Sequence, residues 1–128
     1  LMSACPANVE VVGPVPRDEV MMHYRWADVF CLPSICEGSA TVTYEALAAG
    51  LPVVTTSNTG SIVRDGVEGF IVPIRDSDAI ADALARLLKD RQLLRDMSQA
   101  ALDRSAYGSL DAYGERLVSA LTDLMGQT

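Results

Sequence analysis

Two glutamates, Glu37 and Glu45, lie eight residues apart on either side of a short run of small residues. On a continuous helix they would lie about 12 Å apart along the axis and about 80° apart around it. Carboxylates so placed cannot share a proton or a metal ion, which argues against a glycosidase carboxylate pair and against a two-metal site. Each can instead accept hydrogen bonds from its own group of ligand hydroxyls.

The residues between the glutamates predict a phosphate site. Gly38, Ser39 and Ala40 allow a ligand to approach the backbone closely, and a helix predicted over 41–49 begins directly after them. The N-terminus of that helix offers free N–H groups and the positive end of its dipole, which suit a phosphate. A nucleotide sugar has the matching layout of hexose, diphosphate and ribose. The alternative interpretation is two solvated glutamates that flank a surface helix.

Strands and helices alternate in the first part of the chain. Short apolar runs at 9–12, 29–32, 52–55 and 70–72 predict buried strands. Helices are predicted over 17–25, with Asp18 as cap, and over 41–49, with Gly50 at its end. This alternation predicts an α/β fold with a parallel sheet, in which the loop after a strand lies at the ligand-binding carboxyl edge.

After residue 73 the pattern becomes helical. Asp76 or Ser77 is expected to cap one helix and Asp90 a second, and a third carries apolar residues from 110 to 124. We expect the apolar faces of all three helices to pack on the sheet and on one another.

Composition limits the classes of function. The chain has 128 residues, 49% of them hydrophobic, with a formal net charge of −7, which fits one globular domain and argues against a nucleic-acid binder. It has no polybasic patch for an anionic membrane. The three cysteines are too few and too scattered for a disulfide framework or a zinc site, and we expect buried, reduced thiols in a cytoplasmic protein.

The stretch around the two glutamates resembles the E-x7-E motif of the retaining GT-B glycosyltransferases of family 4. The flanking sequences are also similar: DVFCLPS at 28–34, EALAAGLPVV at 45–54, DGVEGFIVP at 65–73 and, upstream, VEVVG at 9–13. The resemblance covers nearly the whole chain, and the combination of motifs is specific. It implies that 1–128 is a single partial nucleotide-sugar-binding domain, with an α/β part at 1–89 and a helical tail at 90–128.

The resemblance also implies roles for single residues. Glu37 would be the catalytic-site residue at the donor sugar, Gly38 and the backbone N–H groups of Ser39, Ala40 and Thr41 would hold the diphosphate, and Glu45 would bind the ribose. Such enzymes, here of the hexosyltransferase type, transfer a sugar from a nucleotide-diphosphate donor with retention and without a required metal or cofactor. The helix terminus and basic side chains then neutralise the leaving group. The acceptor stays unknown, and the full-length parent could lie at a membrane surface.

The chain departs from the family pattern in three ways. Ser39-Ala40 stands where many members have an aromatic-glycine pair, and Ser61 where many have an acid. The opening strands, the Gly-rich turn, the basic phosphate clamp and the acceptor lobe of the family have no counterpart in this sequence. Arg17, Arg64 and Arg75 are expected to be surface charges rather than substitutes for the clamp, and His23 a surface or packing residue.

The resemblance predicts a partial Rossmann-like sheet of about four strands, part of a GT-B donor lobe. In the strand order 3-2-1-4-5-6, the strand at 9–12 would lack its neighbours, so it would be displaced, paired at another edge or exchanged with another chain. We expect a fragment that is inactive alone. The alternatives are a stand-alone nucleotide-sugar-binding or interaction module, and a fragment of a GT-B nucleotide-sugar epimerase.

Overall fold

The computed structural model describes residues 5–126. Strands and helices alternate in its first part, and helices alone make up the last. In chain order the elements are α1 (Val20–Trp26), β1 (Phe30–Leu32), α2 (Thr41–Ala48), β2 (Val53–Thr56), a 3₁₀ turn (Ser57–Thr59), β3 (Gly69–Val72), α3 (Ser77–Lys89), α4 (Arg91–Tyr107) and α5 (Leu110–Met125). The predicted α/β class is confirmed.

The three strands form one parallel sheet in the order β1-β2-β3. Phe30 pairs with Val53, and Val53 pairs in turn with Gly69. All four residues of β2 are buried, because helices cover both faces of this central strand. A β-carbon at Gly69 would lie 1.9 Å from the carbonyl oxygen of Val53, so this register requires glycine at the start of β3.

The fourth predicted strand, at 9–12, does not form. Val9, Val11 and Val12 are 50%, 71% and 55% exposed, and within residues 5–126 no segment pairs with them. A β-branched run needs a partner strand to satisfy its backbone and cover its side chains, and the described sheet provides none at that position. Pairing of this segment with another chain, one of the outcomes expected from the sequence, stays a prediction.

The core has two parts, one on each face of the sheet. Val53 packs with Tyr24, Leu47 and Ala101, which brings α1, α2 and α4 onto one face. Its neighbour Val54 faces the opposite way and joins the cluster made by Phe70, Val72, Ala83, Leu87 and Met97. The sheet is thereby held between helices, and the carboxyl ends of the strands are aligned at one edge.

Local capping signals in the sequence are confirmed at three helix ends. Gly50 follows α2 at φ +75°, and Leu51 N–H donates to the Ala46 carbonyl at 3.0 Å, as in a Schellman motif. The carboxylates of Asp76 and Asp90 accept from the first turns of α3 and α4.

Asp18 does not cap α1 as predicted. The helix begins later, at Val20, after a turn over residues 17–19, and Glu19 occupies the cap position without a side-chain hydrogen bond. The predicted helix start was therefore wrong by three residues. A carboxylate in a turn directly before a helix resembles a cap in sequence, although the regular helix begins only after the turn.

The expected packing of the third C-terminal helix is also wrong. Ser109 caps α5, but none of the residues of α5 is buried, and Leu110 and Leu124 are 87% and 66% exposed. The expected burial of the thiols is wrong as well, since Cys5, Cys31 and Cys36 are all exposed. The first expectation rested on the apolar periodicity of the helix and the second on the average burial of cysteine, and neither specifies a surface that covers the residue.

Candidate functional site

Three loops meet at the carboxyl edge of the sheet, because all three strands run parallel. They are the loop 33–40 after β1, the turn 57–60 after β2 and the loop 73–76 after β3. This edge is where α/β sheets bind ligands. The loop 33–40 carries Glu37 and leads directly into α2, which carries Glu45.

The turn after β2 holds the loop 33–40 in place. The Thr56 hydroxyl donates to the Ser34 carbonyl, and Asn58 Nδ2 donates to the Ile35 carbonyl at 2.9 Å. In return, the Glu37 N–H donates to the Asn58 carbonyl at 2.9 Å. The sequence reasoning missed these supporting residues; a run of small polar residues directly after a buried strand was the available signal.

Gly60 fits closely against the same loop. Its φ of +65° lies in the left-handed region, and a β-carbon there would lie 2.2 Å from the Gly38 carbonyl oxygen and 3.1 Å from the Ser39 α-carbon. Glycine is required for both reasons, conformation and space. The path of the loop through Gly38 and Ser39 therefore depends on a residue more than 20 positions later in the chain.

The N-terminus of α2 has no side-chain cap. Ala40 occupies the cap position, and its carbonyl accepts from the Thr43 hydroxyl at 2.7 Å. Its N–H donates to the Thr59 carbonyl at 3.2 Å. Of the three backbone N–H groups predicted to hold a diphosphate, that of Ala40 is thus engaged within the protein. Ser39 and Thr41 have no backbone N–H acceptor in the described part of the chain.

Glu37 lies on the exposed part of the loop. Its backbone is fixed by Asn58, but no donor among residues 5–126 contacts its carboxylate. The side chain is therefore free to contact a ligand at the carboxyl edge of the sheet.

Glu45 has a very different environment. The Tyr24 hydroxyl donates to its Oε2 at 3.0 Å, and Arg17 approaches its Oε1 at 3.6 Å. Tyr24 is only 7% exposed and packs its ring against Phe30, with centroids 5.9 Å apart. Burial first, and then the hydrogen bond and the negative charge of Glu45, raise the pKa of Tyr24 to about 12. Tyr24 is thus a fixed, protonated donor.

A cleft of about 530 Å³ opens between the N-terminal halves of α1 and α2. Thr41 and Glu45 line it from α2, and Arg17 and Tyr24 from the α1 side. Of the predicted site residues, the structure thus brings Thr41 and Glu45 into one cleft. Glu37, Gly38 and Ser39 lie on the adjoining loop, and Ala40 is buried at the junction.

The arginines are exposed, as predicted, but two of them have acidic partners. Arg17 is 93% exposed beside Glu45, a pair that solvent screens strongly. Arg64 binds the fully buried carboxylate of Glu68, and the pKa of Arg64 is raised by that hydrogen bond and by the charge of Glu68. Arg75 and His23 are exposed, so their predicted surface positions are confirmed.

Within residues 5–126, no three His, Cys, Asp or Glu side chains converge as metal ligands would. In the same part of the chain, no helix combines the length and the apolar character needed to cross a bilayer.

Comparison with known proteins gives a consistent family assignment. A sequence model of the family described as "Glycosyl transferases group 1" matches residues 4–104. The chain is 40% identical over 96 residues to a D-inositol 3-phosphate glycosyltransferase of Kribbella flavida, a match that covers 73% of this chain and 23% of that protein. The chain spans about a quarter of the length of the curated relatives it matches.

Two solved structures share the fold. The C-terminal domain of a glycosyl transferase group 1 family protein from Francisella tularensis matches with a TM-score of 0.72 and 25% identity, over 78% of this chain and 53% of that one. The sucrose-phosphate synthase of Thermosynechococcus elongatus matches with a TM-score of 0.71 and 26% identity, over 91% of this chain and 30% of that one.

Proposed function

The chain belongs to the group 1 glycosyl transferases, with the fold of a GT-B C-terminal domain, and from that premise we propose that it forms part of the donor-binding lobe of a retaining sugar transferase of family 4. The parent protein would move a hexose from a nucleotide-diphosphate sugar to an acceptor. The similarity to D-inositol 3-phosphate glycosyltransferases supports transfer over epimerisation.

One observation carries the proposal: Glu45 and the uncapped start of α2 open onto the same cleft at the carboxyl edge of the sheet. In the proposed complex Glu45 accepts hydrogen bonds from the ribose hydroxyls. The N–H groups of Ser39 and Thr41, together with the dipole of α2, face the diphosphate. The order of these groups along the chain matches the order of ribose and phosphates in the donor.

The start of α2 would supply part of the stabilisation of the leaving group. As the bond between the sugar and the diphosphate breaks, negative charge develops on the phosphate oxygens. N–H groups that are already fixed by the fold stabilise this charge without reorganisation. The contact of Ala40 with Thr59 keeps the helix start rigid while the donors at Ser39 and Thr41 stay available.

Glu37 would act at the other end of the donor. Its unpartnered, exposed carboxylate can contact the hexose beside the reacting carbon. We expect Glu37→Gln to lower the rate of transfer by about a hundredfold while the affinity for a nucleoside diphosphate stays unchanged, because a nucleoside diphosphate has no hexose.

Calorimetric titration of the full-length protein with ADP, GDP, UDP and CDP tests the proposal. We expect at least one to bind, and Glu45→Ala to weaken that binding by about ten- to a hundredfold, since charge-assisted hydrogen bonds are lost. Glu115→Ala, which removes an exposed carboxylate on α5, is the matched control and should bind as wild type does. Unchanged affinity in Glu45→Ala would refute the ribose assignment.

Three further expectations belong to the same proposal. Transfer requires no metal, so activity should survive treatment with EDTA. The isolated 128-residue chain should not catalyse transfer, because the part of it that matches its relatives spans only about a quarter of their length. The protein acts in the cytoplasm, a location that the three exposed free thiols support.

A further inference from the structure

Tyr24 makes a contact that its position in the core does not require. The ring is buried against Phe30 and the surrounding apolar cluster, and a phenylalanine would fill that space equally well. The hydroxyl instead reaches out of the cluster to Glu45 Oε2 at 3.0 Å. A buried tyrosine hydroxyl needs a hydrogen-bond partner, and here the partner is the carboxylate at the wall of the cleft.

This contact distinguishes the two oxygens of Glu45. Oε2 accepts from a buried and rigid donor. Among residues 5–126, Oε1 faces only Arg17, whose side chain is 93% exposed and 3.6 Å away. The carboxylate is therefore held at one oxygen and open to the cleft at the other. A glutamate held in this way loses little rotamer freedom when a ligand binds, because that entropy is already lost in the free protein.

We propose that Tyr24 is a positioning residue that fixes the Glu45 carboxylate for the vicinal hydroxyls of the donor ribose. The inference rests on the proposed role of Glu45 and adds a cause for its orientation. Tyr24 does not itself touch the ligand; it determines which oxygen of Glu45 is presented and in which direction. Its effect should consequently be confined to ligands that carry those hydroxyls.

Paired titrations of the full-length protein test this inference. The probes are whichever of ADP, GDP, UDP and CDP binds most tightly, and its 2′,3′-dideoxy counterpart. Tyr24→Phe removes one oxygen and keeps the ring in the core. We expect it to weaken the ribonucleotide by roughly fivefold, because the ligand must then order the Glu45 side chain itself, and to leave the dideoxy probe unchanged. Tyr113→Phe, which changes an exposed tyrosine on α5, is the control and should alter neither affinity.

The outcomes separate this inference from the proposed function. If Glu45→Ala weakens ribonucleotide binding and Tyr24→Phe does not, the positioning role is overturned and the ribose assignment stands. If Tyr24→Phe weakens both probes equally, the hydroxyl acts only through general stability, which also overturns the inference. If no diphosphate binds, or Glu45→Ala has no effect, the ribose assignment fails and the role of Tyr24 fails with it.

Discussion

Replacing Gly60 by alanine tests whether the turn after β2 shapes the loop that carries Glu37. Alanine at this position faces two separate costs. Its backbone must adopt φ +65°, and its β-carbon would lie 2.2 Å from the Gly38 carbonyl oxygen. Close carbon–oxygen contacts in proteins begin near about 3.3 Å, so the overlap is roughly 1.1 Å, and the loop must move to relieve it.

Gly66 offers a matched control for the first cost. It has φ +75°, but nothing lies within 4 Å of the position of its β-carbon. Gly66→Ala should thus cost only the left-handed conformation, about 1 kcal/mol. Gly60→Ala has the additional cost of the steric overlap, about 1–3 kcal/mol for an overpacked position. The free energies of unfolding of the two variants should therefore differ by about 2 kcal/mol.

Urea denaturation and ligand titration measure the two consequences. With m near about 1–3 kcal/mol/M, the difference corresponds to a shift of about 1 M in the unfolding midpoint. We also expect Gly60→Ala to weaken nucleoside diphosphate binding, because displacement of Gly38 and Ser39 moves the start of α2. Gly66→Ala should bind as wild type does.

The reasoning would be refuted if the two variants unfolded within about 0.5 kcal/mol of each other and bound the ligand equally. A smaller difference in stability accompanied by a loss of affinity only in Gly60→Ala would instead indicate that the loop moves at little cost. That result would still place Gly60 in control of the loop 33–40.

Three more predictions follow from the structure. Because the pKa of Tyr24 is raised from 10.0 to about 12, its contribution to stability is complete below pH 10 and is lost as the pH rises through 12. The free energy of unfolding should therefore fall between pH 10 and pH 12. Over the same interval, the ultraviolet absorbance of tyrosinate should show one tyrosine that titrates later than the others. Glu68→Ala leaves the backbone N–H and the guanidinium of Arg64 without their acceptor, so we expect the free energy of unfolding to fall by about 2 kcal/mol. The control variant Glu115→Ala should change it by less than about 0.5 kcal/mol. If the exposed 9–12 segment pairs with the sheet edge of another chain, sedimentation should show a dimer, and Val11→Asp should dissociate it. A monomer at every concentration would contradict pairing between chains.

Much of the fold was predictable because its signals are local. The glycine after α2 and the aspartates before α3 and α4 act on residues within five positions of themselves, so their sequences were sufficient to predict those helix ends. The short β-branched runs bounded by glycine or proline likewise predicted the three observed strands.

The position of Glu45 at the start of a helix was also predictable, but its contacts were not. Tyr24 lies 21 residues earlier on a different helix, and its hydroxyl meets Glu45 only because α1 and α2 pack on the same face of the sheet. The fit of Gly60 against Gly38 has the same origin, since neighbouring parallel strands bring their following loops together. Sequence spacing contains no information about such pairs.

The sequence by itself determined the class of fold, the strand–loop–helix unit with its two glutamates, and the caps that set the ends of its helices. Only the tertiary structure decided which apolar segments are covered: 9–12 and α5 have the same periodicity as buried elements, yet both are exposed. The physical reason is that a segment is buried or paired only when another part of the protein covers it. Hydrophobic periodicity specifies the apolar face of the segment itself and contains no information about what covers that face.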